Sequence, residues 1–214
     1  MMFSRSILVF LVFIITISTA QAELEPNNKM INKWNQFVDD LMTLSQHLTS
    51  KSEHSEKKRS GSYSNLPDFY HETKYIHSDS ETVTSIVQME TENPENVHSI
   101  QVYLRDKNGR VMKDFSGSYL TTHHNAPIQT LITLHYYNDE LHAFRVFDAS
   151  HERLYEICRG KLDGKQVNID IDDDYGELSE ALEDKQGIMS SAEYKACFGS
   201  RDYDKSRLQI PLNF

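Results

Sequence analysis

The apolar positions of this chain change their period along its length. From about Asn28 to Thr49, residues Met30, Trp34, Phe37, Val38, Leu41, Leu44 and Leu48 recur at three- and four-residue steps. Lys33, Asp39, Asp40 and Gln46 fall on or near the other side. This period predicts an amphipathic helix with its apolar stripe against the rest of the protein. From Phe69 to Ile171 the period is two. Val83, Ser85, Val87 and Met89 alternate with Thr82, Thr84, Ile86 and Gln88, and Ile100, Val102 and Leu104 alternate with Ser99, Gln101 and Tyr103. Val167, Ile169 and Ile171 do the same near the end of the run. Strict alternation marks strands with one buried face.

Turn chemistry separates these runs at Ser78–Glu81, Asn93–Asn96, Asp106–Gly109, Asp148–His151 and Asp163–Gly164. Asn, Asp and Gly tolerate the positive φ angles that tight hairpins need. The count is about eight strands joined mostly by short turns, which predicts an antiparallel meander. The sheet either closes into a barrel or stays open with the helix on one face. One connection, Leu120–Pro127 (LTTHHNAP), is longer. LRDKNGRVMKDF and VFDASHERLYEI share a strand, an aspartate, a short polar turn and a second strand, with turns read as differing by one residue. The pair resembles the short hairpin repeats of YD-type or MORN-like sheets. The shared residues are those that any hairpin needs, so no family is assigned.

Ser50–Asn65, SKSEHSEKKRSGSYSN, has too little apolar surface to offset the entropy of ordering, and reads as a flexible linker. After Ile171 the chain turns acidic. A short helix is expected over about Glu177–Lys185 and another over SSAEYKACFG, capped by Ser190 or Ser191 and ended by Gly199. RLQIPLNF is expected to dock as an edge element. At the other end, Arg5, the apolar run Ile7–Ile17 and Ala20-Gln21-Ala22 form the three parts of a secretory leader. The run is too short for a spanning helix, and no cysteine follows the cleavage site. The expected divisions are a leader at 1–22, a helix at 23–49, a linker at 50–66, a β domain at 67–175 and a docked helical tail at 176–214.

Charge and cysteine content narrow the partners. The net charge is -10, and removing the leader takes away one arginine and no acid. So acidic a surface repels phosphate backbones and anionic membranes, which argues against nucleic acid and against stable membrane insertion after cleavage. The two cysteines, Cys158 and Cys197, form a disulfide candidate in an exported chain. The expected location is periplasmic or secreted.

Four histidines carry the candidate chemistry. If Asn138-Asp139 forms a two-residue turn, His135 and His142 stand directly opposite on neighbouring strands, where Cβ atoms are ~5 Å apart. Two imidazoles so placed could share Zn²⁺ or Cu²⁺, with His123, His124 or Glu140 as further ligands. A three-residue loop would destroy the pair. The acidic run Asp170–Gly176 begins like a calcium loop, but its sixth position is Tyr175 and its twelfth is Ala181, so it reads as a solvated strand end. Ser116-Gly117-Ser118 lies in a strand, reads as a close-packing or bulge site, and is not the G-x-S-x-G elbow of a hydrolase. Tyr136 and Tyr137, with other tyrosines of the sheet, offer a binding surface. The reading is a non-catalytic exported binding or accessory protein. It would take a small ligand or another exported protein through the sheet face or the LTTHHNAP loop, around His123, His124, Tyr136 and Tyr137. A metal-binding protein and a hydrolase of unrecognised type are the alternatives.

Overall fold

The computed structural model describes residues 28–121, 125–172 and 179–214. The leader, His123, His124 and residues 173–178 of the acidic run lie outside the described residues. Helix α1 (Asn28–Lys51) precedes nine strands. They are β1 (His54–Tyr63), β2 (Leu66–His77), β3 (Val83–Glu90), β4 (Val97–Arg105), β5 (Val111–Ser118), β6 (Gln129–Asn138), β7 (Leu141–Phe147), β8 (Arg153–Leu162) and β9 (Lys165–Asp172). Helices α2 (Ser179–Ser190) and α3 (Ala192–Phe198) follow, then a single 3₁₀ turn at Lys205–Leu208.

All nine strands form one antiparallel sheet whose spatial order is the chain order. β1 and β9 each pair on one side only, so the sheet is open. The alternation that predicted a meander is therefore present, with one strand more than expected. That strand is the segment expected as a flexible linker. Residues 54–63 form β1, paired with β2 from His54↔His77 to Tyr63↔Leu66. Its side chains are almost all exposed on both faces, so it shows no alternation to read. What orders it is the backbone ladder, with Lys58–Glu56 and Arg59–Glu72 ion pairs above it. Its lysines and arginine lie on an open edge, where charge discourages pairing with other chains.

An open sheet must bury one face against something else. α1 crosses β3 to β6 and inserts Phe37, Val38, Leu41 and Leu44 among Val87, Ile100, Val102, Phe115, Ile132 and Leu134. Each such side chain contributes about 1.5–3 kcal/mol when fully buried. Met30, expected on the stripe, is 45% exposed, because the packed face begins at Trp34. Gly117 fixes how closely the helix lies: a Cβ there would come within 2.7 Å of Val38 Cγ2. Close packing, one of the two readings of this glycine in a strand, is what is found.

The tail covers the other end of the same face. Tyr194, Cys197 and Phe198 of α3 pack on Leu141, Ala143, Cys158, Val167 and Ile169. α3 starts at its N-cap Ser191, whose side chain accepts from the Tyr194 N–H, and ends at Gly199, as expected. Cys158 and Cys197 are disulfide-bonded, with Cα atoms 6.2 Å apart. RLQIPLNF does not form an edge element. Leu208, Ile210 and Leu212 pack instead on the α1 side of the core, because both edges of the sheet lie away from it.

The two similar hairpins are closer in structure than in sequence. In β4–β5 the Asp106 carboxylate accepts from the Asn108 and Arg110 N–H groups. In β7–β8 the Asp148 carboxylate accepts from the Ser150 and Glu152 N–H groups. The fourth residue of each turn has positive φ, Gly109 at 80° and His151 at 68°. The turns thus have the same length, contrary to the one-residue difference expected. An aspartate that caps its own loop specifies both.

The glycine contact gives a direct test. Gly117→Ala should destabilise the fold by about 1–3 kcal/mol through overpacking, although alanine is the better strand residue. Val38→Ala in the same chain should recover part of that loss. Urea unfolding of the three variants measures both; strictly additive losses would show that the helix does not rest on this glycine.

Candidate functional site

Every described helix packs on one face of the sheet. The other face, called the outer face below, has none of them. It carries the alternate residues of each strand. Toward β1 these make a polar ladder: Arg59 donates to Glu72, Gln88 donates to the same carboxylate, and Ser99 donates to Gln88. Arg59 lowers the carboxyl pKa of Glu72 against the effect of burial.

Across β4 to β8 the character changes to aromatic and histidine side chains. Asp114 is paired with Tyr103 and Thr133, His135 with Phe144, Tyr137 with His142, and Val146 with Tyr155. Most of these side chains are half-buried by one another. Phe144 lies edge-on to Tyr155, ring centroids 6.4 Å apart.

The register at β6–β7 decides the histidine geometry. Asn138 pairs with Leu141, so the two-residue turn is Asp139-Glu140, with Asp139 at φ 47°. The expected turn was Asn138-Asp139, which would set His135 directly opposite His142. The observed register differs by two in the sum of paired residue numbers. Because side chains alternate with period two, that shift keeps both histidines on the same face and makes them diagonal neighbours. Asp139 takes the positive φ that the turn needs, which leaves Asn138 as the last ladder residue, its side chain donating to the Ala196 carbonyl of α3.

The diagonal pair is joined. His135 Nδ1 and His142 Nε2 are 3.0 Å apart, and His135 Nε2 is 2.7 Å from Asp114 Oδ2. The imidazole rings are nearly parallel, at 11°, with centroids 5.3 Å apart. Given that nitrogen spacing, the two nitrogens lie close to the line between the ring centres and point at each other. A shared metal needs two lone pairs converging on a third point. This geometry is that of a hydrogen bond. Among the described residues no group of three or more His, Cys, Asp or Glu side chains is placed to hold a metal ion. The arrangement is a carboxylate–imidazole–imidazole chain.

Its proton positions follow from charge. The Asp114 carboxylate accepts, so His135 donates from Nε2 and presents a lone pair at Nδ1. His142 then donates from Nε2 and is left with a lone pair at Nδ1. Tyr137 stacks on His142, 4.6 Å between centroids and 2° between planes, and its hydroxyl donates to the Val111 carbonyl. The Arg110 guanidinium lies 5.0 Å from the Tyr137 ring. Burial, and then the charge of His135, lower the pKa of His142. The chain can hold or pass one proton. Among the described residues no hydroxyl or thiol is hydrogen-bonded to His142.

Tyr136 does not belong with Tyr137. It points to the helix side, against Phe198 at 5.9 Å between ring centroids, with the guanidinium groups of Arg145 and Arg207 at 5.5 and 5.3 Å. Asp114 was not anticipated. Its signal was an acid at an outward position of VMKDFSGS, two alternations from the histidines once strand order is known. A second polar cluster was also missed. On the helix side Arg145 and Glu156 are each 1% exposed and paired at 2.5 Å. The Tyr194 hydroxyl donates to Glu156 at 2.7 Å, and Arg145 donates to Tyr194 and to the Ser200 carbonyl. Burial, then the bond to Glu156, push Tyr194 up to about 12. Arg145 keeps phase with Leu141, Ala143 and Phe147, so an in-phase charge inside an apolar strand was the readable sign.

No protein-family model, curated protein or solved structure matches this chain. Fold and site define a class only: an open antiparallel meander, helix-covered and disulfide-tied on one face, with a histidine–aromatic strip on the other.

Two outcomes are expected. Arg145→Met should cost about 3–5 kcal/mol, because Glu156 stays buried with its main counter-charge gone. Arg145→Met with Glu156→Leu should restore much of that loss in urea unfolding. Separately, a histidine whose folded-state pKa is lowered binds its proton more weakly than in the unfolded chain. His142 and His151 both do so through burial. Their stabilising contribution is complete above the ordinary histidine value near 6.5 and is lost as pH falls below it. The urea midpoint should drop on acidification through that range, and less steeply in His142→Phe.

Proposed function

We propose that the chain is an exported, non-catalytic binding or accessory protein that takes another exported protein on the outer face of its sheet. The observation that carries this reading is the strip formed by Tyr103, Phe144, Tyr155 and Tyr137 around the histidine pair, on a face that no described helix covers. Aromatic side chains with polar tips are the usual anchors of protein interfaces. A protein partner is favoured over a small ligand because the sheet is open and encloses no barrel interior. One groove, of 330 Å³ between α1 and the tail, lies on the helix side; another, of 390 Å³, is lined by Tyr103 and Arg105 at the end of β4 together with Leu48 of α1. The net charge of -10 favours partners with basic surfaces.

Export is supported by the leader-like sequence at 1–22, with cleavage near Ala22, and by the Cys158–Cys197 disulfide, a bond that persists in oxidising compartments. Among the described residues no helix is long and apolar enough to cross a membrane. These features suit the periplasm or the outside of the cell.

Site-specific photo-crosslinking in the producing cells tests the reading. A photoreactive residue at Phe144 should give a discrete protein adduct, and one at the exposed helix position Gln46 should not. Equal labelling at both positions, or no adduct at Phe144, would overturn the outer-face assignment.

A further inference from the structure

Counting protons along the chain of Asp114, His135 and His142 leads to a limit. With both imidazoles neutral, every contact has one donor and one acceptor. A first added proton goes to His142 Nδ1, the only ring nitrogen with a free lone pair. The shared proton can then pass to His135 Nδ1, which puts the positive charge beside the Asp114 carboxylate, and His135 donates to His142. A second proton can enter only at His142 Nε2, inside the contact. There it meets the Nδ1–H of His135 across 3.0 Å, two donors and two positive charges head to head. That state cannot keep the contact.

We propose that Asp114, His135 and His142 form an acid-operated latch across β5, β6 and β7. It holds the outer face in the arrangement described above while at least one imidazole is neutral, and opens it when both are charged. This rests on the reading of the outer face as the binding surface, and it gives that surface a control. The His142 ring is the moving part. It is at the end of the chain, is stacked on Tyr137, and is 5.9 Å from Phe144 between centroids.

The surrounding groups set the field but do not replace the contact. Tyr103 on β4 and Tyr155 on β8 share the face of Asp114; burial, then the charge of Asp114, raises the pKa of both, so they stay neutral. Tyr137 on β6 is likewise raised by burial and neutral, under the influence of Arg105, Arg110 and Asp106. Arg110 is itself paired with Asp106 at 2.9 Å. From β8 Arg159 is opposite His142, and it is paired with Asp170 of β9 at 3.1 Å. Asp172 of β9 is opposite Tyr155. Among the described residues Asp114 is the anion hydrogen-bonded to the pair, and it is bound to the far nitrogen of His135. It stabilises one cation and leaves the facing nitrogens without a counter-charge.

Imidazole ¹⁵N–¹H correlation spectra of the free protein, from about pH 8 to about pH 4, read each step because this range spans histidine titration. At high pH both rings should be Nε2–H tautomers. The first step should place the new proton on His142 Nδ1, with the ring-current shift from Tyr137 on His142 retained. The second should leave both rings charged and abolish that shift. A Nδ1–H tautomer of His135 at high pH, or a doubly charged pair that keeps the Tyr137 shift, would overturn the latch. Asp114→Asn should give mixed tautomers at His135; an unchanged pattern would refute its role. His142→Phe retains an aromatic partner for Tyr137 and should remove the acid transition at Tyr137. Persistence of that transition would also count against the latch. The titration needs no partner, so it stands or fails separately from the crosslinking result.

Discussion

The structure depends on one constraint: a nine-strand meander that does not close must have its apolar face covered by segments outside the sheet. Two segments do this from opposite ends of the chain. α1 lies over the middle strands, seated against Gly117, and the helical tail lies over β7 to β9. The tail is short and would hold poorly by apolar contact alone. It is fixed by a covalent bond and by a buried ion pair whose third member, Tyr194, belongs to α3 itself. Removing two charges from water is costly, so the pair specifies where α3 docks more than it adds to stability.

Both covering segments lie on one side. On the opposite side the strand residues shelter one another. Glu72, 4% exposed, is held on that face by Arg59 and Gln88 across the ladder, and Val146, 1% exposed, lies between Thr133 and Tyr155. The same mutual shelter reaches the histidine pair: His135 is half-buried among its neighbours, while His142 lies at the rim of the strip and is exposed. Register sets the rest, because a two-residue displacement of β6 on β7 converts an opposed pair into a diagonal one that can align ring to ring.

The fold was legible wherever apolar alternation or a helical stripe recorded burial. α1, the strands from β2 onward, the cap of α3 and the disulfide partners all left such marks. β1 left none, because an edge strand exposed on both faces is ordered by its backbone, which composition does not report. The histidines were visible, but their relation was not. Asn138-Asp139 and Asp139-Glu140 both have turn chemistry, and the observed turn goes with contacts distant in sequence, Asn138 on Ala196 of α3 and Glu140 against Gly160 of β8. Asp114 and the pair Arg145–Glu156 were hidden for a common reason. Each partner lies on a different strand, so the constellation exists only after strand order and phase are fixed.

The order of the sheet also bears on how the chain reaches this state. Because each strand pairs only with its sequence neighbours, the whole ladder can zip from local hairpins with short loop closures. The two covers make the long closures. α1 must return to β5, and the tail must return through Cys197 to Cys158, 39 residues away, and through Leu208 to the core beneath α1. The entropy of those closures is offset only once the strands they cover are aligned, since neither segment has a surface to rest on before then. Sheet and covers are therefore coupled: the strands give each cover its surface, and the Cys158–Cys197 bond keeps one cover on it.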